Sequence, residues 1–155
     1  MRRLSEREVR EAYVVRAELE GLAAALAATS ASDEQVERLK MAEVLFARAL
    51  TELSTVDEAA HGRDTWHRAN DIFHDAVLEA SGNAMLRVVV NGVYERIPRN
   101  LTWAVLDGEP RRLRANIAEH RVVREAIEAG DAAAARQAMA DHVLRSADLV
   151  ARRSE

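Results

Sequence analysis

The sequence predicts an all-α protein: an antiparallel bundle of about six to seven helices around an internal metal or ligand cavity. Three observations predict it. Apolar residues recur at intervals of three and four along most of the chain, and strand-like alternation is absent. Proline appears only twice and glycine six times, mostly between the periodic segments. His74, His120 and His142 fall on the apolar stripes of three different helices, with Asn70 one turn before the first.

The helix boundaries have chemical reasons. Ser5 with Glu8 forms a capping box that opens a first helix to about Thr29, with Val15, Leu19, Leu22 and Leu26 as its apolar stripe. Ser32 with Gln35 opens a second through Leu39, Leu45 and Leu50; Ser54-Thr55 and His61-Gly62 are alternative ends. Asp64 caps a third, which stops at Ser81-Gly82-Asn83, where Gly82 suits a left-handed C-terminal cap and Asn83 the next N-cap. A fourth runs from Ala84 to about Leu106, kinked or split by Pro98. Asp107-Gly108-Glu109-Pro110 is a turn that sets Pro110 at a first helical position. The fifth helix covers Arg111 to Ala129, and Gly130-Asp131 ends it and caps a sixth, Ala132 to about Ala151. Short connections favour antiparallel neighbours. The alanine-rich stretches 23–28 and 132–135 suit either close helix packing or mere composition, and composition is the preferred reading.

Composition bounds what such a bundle can do. A chain of 155 residues, 48% apolar and 31% charged, is one globular domain spanning 1–155. The formal charge of −4 offers no basic footprint for nucleic acid, so this chain should not bind DNA tightly by itself. With no cysteine there are no disulfides, thiolate zinc sites or thiol catalysis, in keeping with a cytoplasmic location. No stretch approaches the roughly 18 apolar residues of a membrane span, and Met1 to Glu6 lack the apolar core of a signal peptide.

The histidines carry the chemistry. Asn70, His74 and Val77 share one face of the third helix. Leu113, Ile117, His120 and Ile127 share one on the fifth; Ala135, Met139, His142, Ser146 and Leu149 share one on the sixth. A lone histidine on such a stripe is usually a hydrogen-bonded core residue. Three of them, with an amide beside the first, are harder to dismiss in that way, because each buried imidazole needs partners, so a shared site stands beside the core reading as a hypothesis. Neutral imidazole is the commonest protein metal ligand.

Several fragments, taken in order, resemble a known family. Tyr13-Val14-Val15-Arg16-Ala17-Glu18-Leu19-Glu20 followed by Ala23 to Ala28 is similar to the opening of the effector-binding domain of GntR-type transcription regulators, FadR-like subgroup, known as the FCD domain. Asn70-Asp71-Ile72-Phe73-His74, Ala80-Ser81-Gly82-Asn83, Glu119-His120, Ala126-Ile127, Gly130-Asp131, Ala134 and Met139-Ala140-Asp141-His142 resemble its later signatures. The resemblance covers nearly the whole chain. It implies an antiparallel bundle whose metal is held by an aspartate and three histidines, here Asn70, His74, His120 and His142. Asparagine stands at the aspartate position and brings no charge, so the site would lean more on an effector's carboxylate. Asp71 is about 100° round the helix and is the poorer ligand. Three nitrogens and one oxygen suit zinc first, with nickel or manganese as alternatives.

The resemblance also implies a small organic carboxylate effector and a homodimer. Arg16 matches an arginine that faces the effector; the competing role is a surface pair with Glu20. Trp66 and His67, within two turns before His74, are further pocket candidates, although Trp66 as ordinary core is favoured. Arg96, Arg99 and Trp103 flank Pro98; solvated arginines are the preferred reading there, and Arg99 is the effector-binding candidate among them. The arginines at 111, 112, 114, 121 and 124 are expected to form a solvated face or to contact a partner. DNA would be reached only through a winged helix-turn-helix, which in full-length relatives precedes this domain; the chain is expected to be a fragment of a regulator or a stand-alone sensor. Two other classes compete with the sensor: a hydrolase using the three-histidine site to activate water, and a purely structural dimerisation module. A di-iron centre would need a second Glu-x-x-His beside Glu58 to His61.

Overall fold

A computed structural model describes residues 5–97 and 101–151. Seven helices follow one another: α1 (Glu6–Ser30), α2 (Asp33–Leu53), α3 (Ala59–Ala80), α4 (Ala84–Arg96), α5 (Trp103–Leu106), α6 (Pro110–Glu128) and α7 (Ala132–Ala151). Among the described residues there is no strand.

Both capping boxes form. Ser5 Oγ accepts from Glu8 N at 3.3 Å while Ser5 N donates to Glu8 at 2.8 Å. Ser32 and Gln35 exchange the same pair of bonds. Asn83 caps α4 by accepting from Met85 N and Leu86 N, and Asp131 accepts from Ala134 N in the first turn of α7. Gly82, Gly108 and Gly130 all have positive φ at the breaks where they were expected to turn the chain. The expected fourth helix is divided: α4 stops at Arg96, Ile97 is extended at φ −125° and ψ 115°, and α5 starts at Trp103. An extended residue before proline is what the clash with its ring demands. Pro98 itself lies outside the described residues.

Several expectations are corrected. Asp64 does not cap α3; the helix starts five residues earlier, and Asp64 is exposed inside it. Gly62 therefore does not end a helix. It lets the first turn of α3 abut the end of α2, where a Cβ would lie 2.8 Å from both the backbone nitrogen and Cγ of Leu53. On α1 the buried face is not the leucine stripe. Tyr13, Arg16, Ala17, Glu20, Gly21, Ala23, Ala24 and Ala27 are buried, Val15 is exposed, and Leu19, Leu22 and Leu26 only flank the core. The alanines are thus packing residues and not mere composition. Small side chains let α1 lie close along α7, its most extensive contact together with that between α2 and α3.

A further correction concerns connectivity. α2 with α3, and α6 with α7, pack against each other across short turns, but α1 and α2 share almost no packing although two residues join them. Ala31 and Ser32 are both extended, so the chain leaves α1 at an angle. α1 packs instead on α7, α3, α4 and α6.

Two apolar clusters result. The larger gathers Tyr13, the α1 alanines, Phe73, Val77, Val123, Met139 and Val143; the smaller gathers Phe46, Trp66, Trp103, Leu106, Leu113 and Ile117. His120 bridges them, its ring 4.8 Å from Phe73 and 4.7 Å from Phe46. The polar site lies at this junction.

A three-histidine centre inside the bundle

The expected histidines converge. His74 of α3, His120 of α6 and His142 of α7 are all buried, and one ring nitrogen of each lies within 4.8 Å of the others. Their ring centroids are 4.2 to 5.5 Å apart. A zinc ion with bonds of about 2.0–2.1 Å needs ligand nitrogens roughly 3.3 Å apart, so small side-chain rotations would close the set on a cation.

The other nitrogen of each ring is already engaged. His74 Nδ1 is 2.6 Å from Glu20 Oε2, His142 Nδ1 is 2.8 Å from Glu119 Oε2, and His120 Nδ1 is 2.8 Å from the backbone oxygen of Asn116. A carbonyl or carboxylate oxygen can only accept, so each Nδ1 carries the hydrogen. In a neutral imidazole Nε2 is then left with a bare lone pair. Three acceptors facing one spot with no proton between them suit a cation. His120 Nε2 is buried and has no hydrogen-bond partner among the described residues.

Burial disfavours charge on two of the rings. Burial, reinforced by His142 and His74, holds His120 well below the ordinary imidazole range. Burial likewise lowers His142 to about 3, with His74 adding to the shift. Burial works against the charge on Glu20 too, yet Arg16 and His74 hold its pKa well below the usual carboxylate range. Glu119 is raised by its burial, while Arg145, 3.4 Å from its other oxygen, pulls the opposite way.

Three of the supporting residues were not foreseen. Glu20, 1% exposed, sits on the buried face of α1 because that face is the alanine one. Its signal in the sequence was Arg16 four residues earlier. Arg16 Nε donates to Glu20 at 2.8 Å, and Arg16 Nη2 and the partly buried Tyr94 OH complete a triangle with the same carboxylate. Arg16 also lies over the rings of Tyr13 and Tyr94. The two roles weighed for Arg16 thus coexist: it pairs with Glu20, in the interior and not on the surface, and it lines the cavity beside the histidines. Asn116 stands four residues before His120, the spacing that singled out Asn70 before His74. Glu119 is adjacent to His120 in sequence but serves His142 across the α6–α7 contact.

A cavity of about 10 Å³ lies against Arg16, Asn70, His74, His142, Trp66 and Asn116. That is room for one ion or water, not for an organic acid. A larger cleft of about 290 Å³ runs between α6 and α7 past Arg112 and Arg145, and Asn116 borders both spaces. Asn70 is half-buried at the cavity wall. Trp66 is both core and cavity wall. His67 is not at the cavity; it packs against Trp66 and Trp103 at 5.4 and 5.3 Å. Arg96 is exposed beside the α1–α4 groove, and Arg99 lies outside the described residues. Asp71 is exposed, and no aspartate or glutamate is among the described residues lining the cavity. The two nearby carboxylates, Glu20 and Glu119, are both spent on Nδ1 hydrogens.

The arginine face of α6 is only partly solvated. Arg124 reaches Glu43 of α2 at 2.7 Å and Glu128 at 2.6 Å, tying α2 to α6; Arg111, Arg112, Arg114 and Arg121 are exposed.

The family model for the FCD domain matches residues 11–145. This chain belongs to the FCD domain family. No curated protein matches it. As an FCD domain it is a ligand-sensing regulatory domain of the GntR type. FCD domains bind small-molecule effectors and oligomerise, and members are known to bind metals. No helix among the described residues is long and apolar enough to cross a membrane.

Proposed function

We propose that this FCD domain senses a small carboxylate through a divalent metal held by His74, His120 and His142, with Asn70 as an uncharged oxygen ligand. Zinc is the first choice, with nickel or manganese as alternatives. The observation that carries the reading is that one ring nitrogen of each of three buried histidines lies within 4.8 Å of the others, while each Nδ1 is within hydrogen-bond distance of an oxygen acceptor. Carboxylates and carbonyls that fix the far nitrogen are the usual outer partners of histidine ligands. The carboxylate of the effector would complete the coordination sphere and offset the missing charge at Asn70. Arg16 lines the same cavity but is bound to Glu20, so its part in holding the effector is indirect unless that pair opens.

The sensing step follows from the volume. An ion-sized cavity cannot take an organic acid without movement of α6 or α7 around Asn116. A ligand that binds only the opened arrangement shifts the balance by its differential affinity. In a cytoplasmic homodimeric parent regulator, that shift would alter the spacing of two DNA-binding heads.

Elemental analysis of protein prepared without chelator is the test. About one divalent ion per chain is expected, lost in both His120→Ala and His142→Ala while helical circular dichroism persists. Unchanged metal in both variants would exclude the site. Thermal melting of the loaded protein should rise with a fitting carboxylate.

A further inference from the structure

An apolar stripe of α1 is left half in solvent. Ala12, Val15, Leu19 and Leu22 recur at three and four, yet Val15 is 46% exposed and the other three are only partly buried. α4 shows the same imbalance. Leu86 and Val90 turn inward, while Met85, Val88, Val89 and Gly92 form a second face at the same spacing, and its three side chains are exposed. Of the ten large apolar side chains exposed among the described residues, Val15, Met85, Val88 and Val89 lie on these two stripes. The stripes adjoin: Ala12 and Val15 line a cleft of about 610 Å³ together with Val89, Gly92 and Val93.

Gly92 has no reason inside the single chain. Its φ is not positive. A Cβ there would meet nothing within 4 Å among the described residues. Glycine is a poor helix former, so α4 loses stability by carrying it. What a glycine offers on an open helix face is room for another backbone to come close. The rim of the cleft carries both signs, Glu8, Glu11 and Glu95 with Arg96. A surface that meets its own copy about a two-fold axis must be self-complementary, which a mixed rim allows and a rim of one sign opposes.

We propose that this α1–α4 face is where a second copy of the chain docks, with the α4 helices of the two copies crossing closest at Gly92 and with Val15 and Val89 buried between them. FCD domains oligomerise, and the inference names the surface behind the homodimer read above; it does not depend on the metal. α4 also delivers Tyr94 to Glu20 at 2.8 Å, so the docking helix is joined to His74 through one carboxylate.

The test is sedimentation equilibrium of the full chain, with zinc content read on the same samples. The wild type should be a dimer. Val89→Arg and Gly92→Leu should each weaken it by at least about tenfold, with helical circular dichroism and zinc content unchanged. Gly92→Leu is the sharper arm, because leucine is the better helix former. Its thermal melting at dilutions that separate the copies should be no lower than that of the wild type, so a lost dimer reports a blocked approach and not a damaged fold. Val44→Arg, at an exposed apolar position of α2, should leave the dimer intact. A wild type that stays monomeric at every concentration overturns this inference and the homodimer with it, and leaves the metal reading standing. A dimer that survives Val89→Arg or Gly92→Leu, or that falls apart in Val44→Arg, overturns the face alone.

Discussion

Glu20 and His74 meet at 2.6 Å in the middle of the bundle, joining α1 to α3 through a carboxylate and an imidazole that are both almost wholly buried. The same carboxylate receives Arg16 and Tyr94, so one charged cluster orients a histidine and anchors the first helix.

Glu20→Gln should therefore do two things. It leaves the Arg16 guanidinium buried without its counter-charge, which costs about 3–5 kcal/mol when a buried pair is broken. It also weakens the hold on the His74 tautomer, and loss of such an outer partner lowers metal affinity by about 10- to 100-fold. Urea unfolding of the metal-free variant measures the first effect, and competition with a zinc chelator measures the second. A variant as stable as the wild type would show that Arg16 finds another partner.

Stability of the metal-free protein should fall with acid. The folded state holds His142 at about 3 and His120 well below its ordinary value, whereas both titrate near 6.5 in the unfolded chain. The unfolded state thus binds more protons below that point, and stability drops as pH falls from about 6.5 toward 3, by up to about 1.4 kcal/mol per pH unit for each histidine. Glu20, lowered in the fold, adds a loss in the same direction below about 4.5. Chemical denaturation at pH 7.5, 6 and 5 measures the slope, which should be shallower in His142→Gln.

Much of the architecture can be read from short-range chemistry. Ser5 with Glu8, Ser32 with Gln35, Asn83 and the three positive-φ glycines each act within a few residues, and each stands where expected. The histidines were legible for the same reason: His120 shares its stripe with buried Leu113, Ile117 and Ile127, and His142 with buried Ala135, Met139 and Ser146, although Leu149 is only partly buried. What was not legible depended on which helices meet. Apolar and charged residues are both spread round α1, so period alone could not say that its alanine face, carrying Arg16 and Glu20, turns inward while Val15 faces out. The pairing of α1 with α7 decides that, and it is a contact between opposite ends of the chain. Gly62 misled in the same way, since its small size serves a contact with Leu53 and not a break.

Gly62→Ala tests that point. Alanine favours an exposed helix interior by about 1 kcal/mol over glycine. Here its Cβ would meet the Leu53 backbone at 2.8 Å, a clash that no side-chain rotation relieves. The expected outcome is a net loss of about 1–3 kcal/mol in thermal or urea unfolding, with zinc stoichiometry intact because the contact is three turns from His74. A stabilised variant would mean that the α2–α3 junction yields freely.

X-ray absorption at the zinc edge of the metal-loaded chain tests the central claim most directly. Three imidazole nitrogens at about 2.0–2.1 Å, with the remaining ligands oxygen, are expected, and one imidazole should disappear in His120→Ala. A spectrum with one imidazole or none, or one unaltered by that substitution, would contradict a shared centre of His74, His120 and His142.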